Sequence, residues 1–166
     1  MPMEPHEALR KKRSCRGFLL LVLLPFLFSL AVASGPVRTE WERITFRPAG
    51  VWVRAEKADS PQKRERGLMY RSRLAEKDAM MFYFDETVPQ AFWMYHTQIP
   101  LTVIFLDDGL RIVDMQNMSP CLAKSPEQCP VYVSQGPARY AIEVNQGFVG
   151  KYGIKIGDRV TIESEN

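Results

Sequence analysis

The stretch LTVIFLDDGLRIVDMQNM, Leu101–Met118, decides the fold. Two strand-like apolar runs flank Asp108-Gly109, and an Asp-Gly pair between such runs is a strong short-range hairpin signal. The same grammar recurs outward from this point. Upstream, Val51, Val53 and Ala55 alternate with Trp52 and Arg54, the period of a half-buried strand. Arg43 to Arg47 is a weaker strand candidate before it, and Met80–Phe84 and Ala91–His96 are further candidates after it. Downstream, Ala138–Val144 and Arg159–Glu163 complete the set. Between the early strands, Ser60-Pro61 reads as a helix start, with Ser as the cap and Pro in the first turn. The helix is expected to run through QKRERGLMYR, weakened near its end by Gly67. Late in the chain, NQGFVGKYGIKIGD reads as one short helical turn followed by a glycine-punctuated approach to the last strand. Together these imply an α+β, β-rich fold. Its core is a small, mostly antiparallel sheet or partial barrel, with one helix after the first strands and a short helical turn near the C-terminus.

The N-terminus carries Arg10, Lys11, Lys12, Arg13 and Arg16, then an uncharged apolar run, Phe18 to Ala33, ending Ala31-Val32-Ala33. This is the build of a cleaved secretory signal peptide, and it implies an exported protein, periplasmic or extracellular. The apolar run is short for a bilayer helix, which needs about 20 residues, and Pro25 interrupts it. The membrane is therefore a partner only if the leader is retained. The whole chain has 22 Lys+Arg against 19 Asp+Glu, but the leader holds five of the bases and two of the acids. Residues 34–166 thus carry 17 of each, a balance that gives no case for nucleic acid as a partner. Cys121 and Cys129 remain after processing, and an even count in an exported chain reads as a disulfide. It would tie a long Pro-rich loop, Ser119 to Pro137, that shows no periodicity.

An ordered set of short motifs then carries a resemblance. It comprises Gly67-Leu68-Met69, the MMFYF strand, Phe92-Trp93-Met94, Thr97, Ile99-Pro100-Leu101, Ile104-Phe105 and Asp107. Ala141-Ile142-Glu143-Val144, Gly147, Gly153 and Gly157-Asp158 complete it. The set resembles the domain-of-unknown-function 192 family, over roughly Val51 to Ile162. The resemblance implies a compact β-rich fold and an exported single domain, and no established reaction. The domain plan is then a signal peptide over 1–33, an N-terminal extension or edge strand over 34–50, and a single family-like domain over 51–166. The chain departs from the family pattern at Tyr95 and His96, where Lys-Asn is common, and at Thr102, where Asp is common. A charge-dependent site built on those positions would be rewritten here.

The candidate site lies in AFWMYHTQ, Ala91 to Gln98. Strand parity puts Trp93 and Tyr95 on one face, and Phe92, Met94 and His96 on the other. These aromatics serve either as packing or as the walls of a ligand groove, because Trp and Tyr offer large contact area with a polar tip. A groove framed by Trp93, Tyr95, His96 and Thr97, with Glu143, would make the chain a small ligand-binding or assembly module. Its partner would be a small molecule or an envelope protein, and no cofactor is expected. Glu143 is singled out as a carboxylate within the apolar strand ARYAIEV, where burial would perturb it; one of the arginines, for instance Arg139 on the same strand face, is its expected partner. Two alternatives stay open. One is a hydrolase-like enzyme using Glu143 or an Asp with His96, the sole His after the leader. The other is a soft-metal site for Cu(I) or Ag(I) built from Met94 and His96.

Overall fold

The computed structural model describes residues 40–165. The leader, with its signal-peptide reading, lies outside the described residues.

The described residues form nine strands and two short α-helices: β1 Trp41–Arg47, β2 Trp52–Ala58, α1 Pro61–Arg66, β3 Asp78–Val88, β4 Ala91–Trp93, β5 Leu101–Leu106, β6 Ile112–Met118, β7 Val131–Val133, β8 Ala138–Asn145, α2 Phe148–Tyr152 and β9 Arg159–Glu165. Seven strands make one sheet in the order β6-β5-β8-β3-β2-β1-β9, and β4 pairs with β7 in a separate ribbon. All pairings are antiparallel except β2 with β3, which α1 connects. The Asp108-Gly109 signal is realised between β5 and β6. There Asp107 Oδ1 accepts the backbone N–H of Gly109 and of Arg111, each at 2.9 Å, so this carboxylate is occupied in building the turn.

The two edge strands approach each other at one end. Ile112 donates to Asp158 and Gly157 to Ile112, each at 2.8 Å, and Arg111 bridges to Arg159. The sheet curls without closing into a barrel. Trp41–Arg47 is paired on both sides, to β2 and to β9. It is an inner strand rather than the edge strand or extension expected from the sequence. The true edges are β6 and β9.

Two apolar layers follow from strand parity. One draws on all seven strands of the sheet, including Ile44, Val53, Met81, Ile104, Ile142 and Val160, and is covered by Phe148 of α2. The other lies on the opposite face, where Phe82, Val103, Phe105 and Ala141 meet Leu68, Met94 and the Cys121–Cys129 bridge. This second layer carries the candidate site. α1, the β4–β7 ribbon and the disulfide loop all pack over it.

α1 starts as expected: Ser60 Oγ accepts the N–H of Lys63 at 3.3 Å and Pro61 opens the first turn. It stops at Arg66, well short of Arg71. Gly67 terminates it with φ 46° and ψ −135°, a conformation that only glycine adopts without strain. The residues after it, Leu68 to Arg71, are thereby released from the helix to line a depression on the sheet.

Candidate functional site

Glu143 lies on β8, between β5 and β3, on the sheet face that carries the second layer. Its cross-strand neighbours are Met80 on β3 and Val103 on β5, both buried and apolar. The side chain is 4 % exposed, and Oε2 has no hydrogen-bond partner. Burial pushes its pKa up to about 8, partly offset by the positive charge of Arg71. Arg71, not Arg139, is the guanidinium acting on it. Arg71 comes close because α1 ends early and the chain turns back over β2 and β3. Both of its terminal nitrogens are held by Glu56 on β2, one bond measuring 2.7 Å. The arginine is therefore committed elsewhere, and Glu143 is left with a field and no bond.

Above Glu143 opens a cleft of about 290 Å³. Its walls are Phe82, Phe84, Phe92 and Trp93, with Gly67, Met69 and Thr97 at the sides and Arg64, Glu65 and Arg66 of α1 around it. The backbone approaches the carboxyl closely at Gly67: a Cβ placed there would lie 3.9 Å from Glu143 Oε2 and 3.7 Å from Phe82 Cζ. Arg64 is anchored at its edge, donating to Tyr83 O at 2.7 Å and to Asp85 at 3.3 Å.

A second cleft, of about 480 Å³, adjoins the first and shares Trp93, Met69, Glu65 and Arg66 with it. Tyr70, Tyr95 and His96 are among its other walls. Tyr70 stacks on His96 with ring centroids 4.9 Å apart, and Tyr95 lies 3.9 Å from His96. Trp93 and Tyr95 are 6.3 Å apart, as expected for residues on one side.

His96 departs from the parity expected for it. β4 ends at Trp93, and a tight turn follows in which Thr97 N–H bonds Met94 O at 2.9 Å. His96 takes φ 53° in that turn, and its ring lies against Tyr95 and Tyr70. Met94 is fully buried in the apolar layer. Met94 thus belongs to the apolar layer, while His96 lines the second cleft. Among the described residues no group of three or more His, Cys, Asp or Glu gathers as metal ligands.

The other expected positions divide between roles. Trp93 is 41 % exposed and shared by both clefts, while Thr97 is buried in the wall of the smaller one. Glu143 and His96 line different clefts, which separates the two members of the proposed catalytic pair. Asp108 accepts the Thr87 hydroxyl at 2.8 Å and Asp107 serves the turn, so neither faces His96 across the site. Thr102 bonds Asn117 at 2.7 Å, with the parity of Ile104 on the other sheet face, and shares no site with Tyr95 and His96. Cys121 and Cys129 are bonded, with Cα atoms 5.8 Å apart. Sequence reasoning missed Tyr70 and Arg71. The signal available was Gly67, whose capping role turns the following residues toward the sheet.

A family model described as DUF192, Uncharacterized ACR, matches residues 44–162. The chain belongs to the DUF192 family. The match runs from β1 into β9 and contains every wall residue of both clefts. Two solved structures are similar to this DUF192 chain. One, from Sinorhizobium meliloti 1021 and described as a candidate transcription regulator, is 32 % identical. It covers 76 % of this chain and 97 % of its own, with a TM-score of 0.64. The other, a protein of unknown function from Novosphingobium aromaticivorans DSM 12444, is 28 % identical, with coverage of 73 % and 83 % and a TM-score of 0.64. No curated protein matches the chain. DUF192 is a small bacterial domain of unknown activity, and the fold reached from the sequence is the one observed.

Proposed function

We propose that this DUF192 chain is an exported ligand-binding module of the cell envelope, and that its site is the pair of clefts joined at Trp93. The observation that carries this reading is Glu143 Oε2, buried and unpartnered beneath an aromatic-walled cleft. Buried polar atoms are ordinarily hydrogen-bonded, and one left without a partner calls for a role. Leaving such a group unsatisfied costs about 1–3 kcal/mol, more for a charged one. A ligand that completes its bonding accounts for that penalty. The cleft of about 290 Å³ suits a small molecule, at the lower end of the ~300–1,000 Å³ typical of ligand sites. Export is supported by the basic-then-apolar leader and by the bonded Cys121 and Cys129, which suit an oxidising compartment.

The separation of Glu143 from His96 favours binding over acid–base catalysis by that pair, which requires both groups within reach of one reacting atom. The balanced charge of residues 34–166 gives no support for nucleic-acid binding, so the description of the Sinorhizobium meliloti protein as a transcription regulator is not carried over. The test is a thermal-shift screen of small molecules against the purified chain and its Trp93→Ala variant. Binding in the cleft raises the Tm of the parent chain and leaves the variant's unmoved. Ligands that stabilise both chains equally, or none that stabilise either, would refute the assignment.

A further inference from the structure

The cleft above Glu143 combines a carboxyl oxygen without a partner and a wall of aromatic rings, Phe82, Phe84, Phe92 and Trp93. Each half of that combination favours the same chemistry. A carboxylate attracts a positive charge, and so does the negative face of an aromatic ring. The site already tolerates one: the guanidinium of Arg64 lies 5.9 Å from the ring centre of Phe84. That cation is tied to Tyr83 O and Asp85, and Arg71 is tied to Glu56, so neither fills the place at Oε2. An anionic ligand could pair with Arg66 on the α1 side, but it would leave Glu143 Oε2 without a donor. A neutral hydroxyl would gain one hydrogen bond and nothing from the ring faces.

We propose that Glu143 anchors a primary ammonium group, so that the cleft takes small amines carrying an aromatic or aliphatic stem. This rests on the cleft being a ligand site. The ammonium donates to Oε2, and its stem lies among Phe82, Phe92 and Trp93. Two sources supply this chemistry, a free amine or the amino terminus of a peptide.

Binding is coupled to a proton. Glu143 is protonated below about pH 8 and must ionise to pair with the ammonium, so one proton leaves for each ligand that enters. The charged groups facing it are Arg71 from the segment after α1 and Arg64, Glu65 and Arg66 from α1. β3 and β5 present only Met80, Phe82 and Val103, and the β4 side presents Trp93 and Thr97.

The experiment is calorimetric titration of the purified chain with benzylammonium, benzyl alcohol and benzoate, three probes of one shape and different charge. Phenylalanyl-alanine amide and its N-acetyl form distinguish a peptide terminus from a free amine. The ammonium should bind at least ~10-fold tighter than the alcohol at pH 8, as charge-assisted bonds are roughly twice as strong as neutral ones. Its affinity should rise about 10-fold from pH 6 to 7 and about fivefold from pH 7 to 8, with proton release visible as a buffer-dependent heat. Glu143→Gln should abolish the preference for the amine. The pH dependence in the parent chain reads the same coupling should that variant fail to fold. Equal binding of alcohol or benzoate, or a preference that survives in Glu143→Gln, overturns the amine assignment and leaves the ligand-site reading standing. If no probe binds, both fall.

Discussion

Glu143→Gln isolates the energetic consequence of burying a carboxyl without a partner. In the unfolded chain this group ionises near its ordinary value of 4.5, and in the folded chain near 8. The native state therefore holds a proton that the unfolded state has lost across that window. Stability from this site is fully present below about pH 4.5, declines as pH rises and levels off above about 8. The displacement, at about 1.4 kcal/mol per pH unit, comes to roughly 5 kcal/mol at most. Between pH 5 and 7 alone the loss is roughly 3 kcal/mol, a large part of the ~5–15 kcal/mol available to a domain. Glutamine mimics the neutral acid and does not titrate. Urea unfolding followed by tryptophan fluorescence at pH 5, 7 and 9 reads the difference, because every other titrating group is common to both chains. The variant should match or trail the parent at pH 5 and exceed it clearly at pH 9, with m unchanged. Parallel pH profiles for the two chains would refute the reasoning.

Three further outcomes follow from neighbouring contacts. Arg71→Met removes the positive charge that holds the Glu143 pKa down, so the midpoint of the Glu143-dependent stability change should move to higher pH, read by the same unfolding series. Gly67→Ala forces a β-carbon onto a residue at φ 46° and ψ −135°, where the neighbours leave ordinary van der Waals room. The loss, roughly 1–3 kcal/mol in urea unfolding, should come from the backbone. Reduction of Cys121–Cys129, eight residues apart, should lower stability by roughly 2.5 kcal/mol in the chain-entropy description, checked by melting with and without reductant.

The legible parts of this molecule are those whose physics is local. The β5–β6 hairpin was readable because the turn is built locally, with the Asp107 carboxylate accepting from Gly109 and Arg111. The start of α1 was readable for the same reason at Ser60 and Pro61. Glu143 stood out because a carboxylate in ARYAIEV contradicts its surroundings. What parity could not give was His96. Period-2 reasoning holds only while the strand continues, and β4 stops three residues earlier, leaving a turn with a left-handed backbone. That an arginine acts on Glu143 was legible, but which one was not, because strand parity favours Arg139 and the extent of α1 hides Arg71. Once Gly67 ends the helix, Arg71 is delivered to the sheet and Tyr70 to the ring of His96. The β7 strand was hidden in a loop rich in proline, since a three-residue pairing with β4 is too short for a period to show.

The most direct measurement is the titration of the Glu143 carboxyl carbon by carbon-13 NMR, with and without benzylammonium. The account predicts a midpoint near 8 in the free chain and a clear fall when the amine is bound, because the ammonium stabilises the ionised form. A midpoint near 4.5 in the free chain, or one that benzylammonium leaves in place, would contradict it.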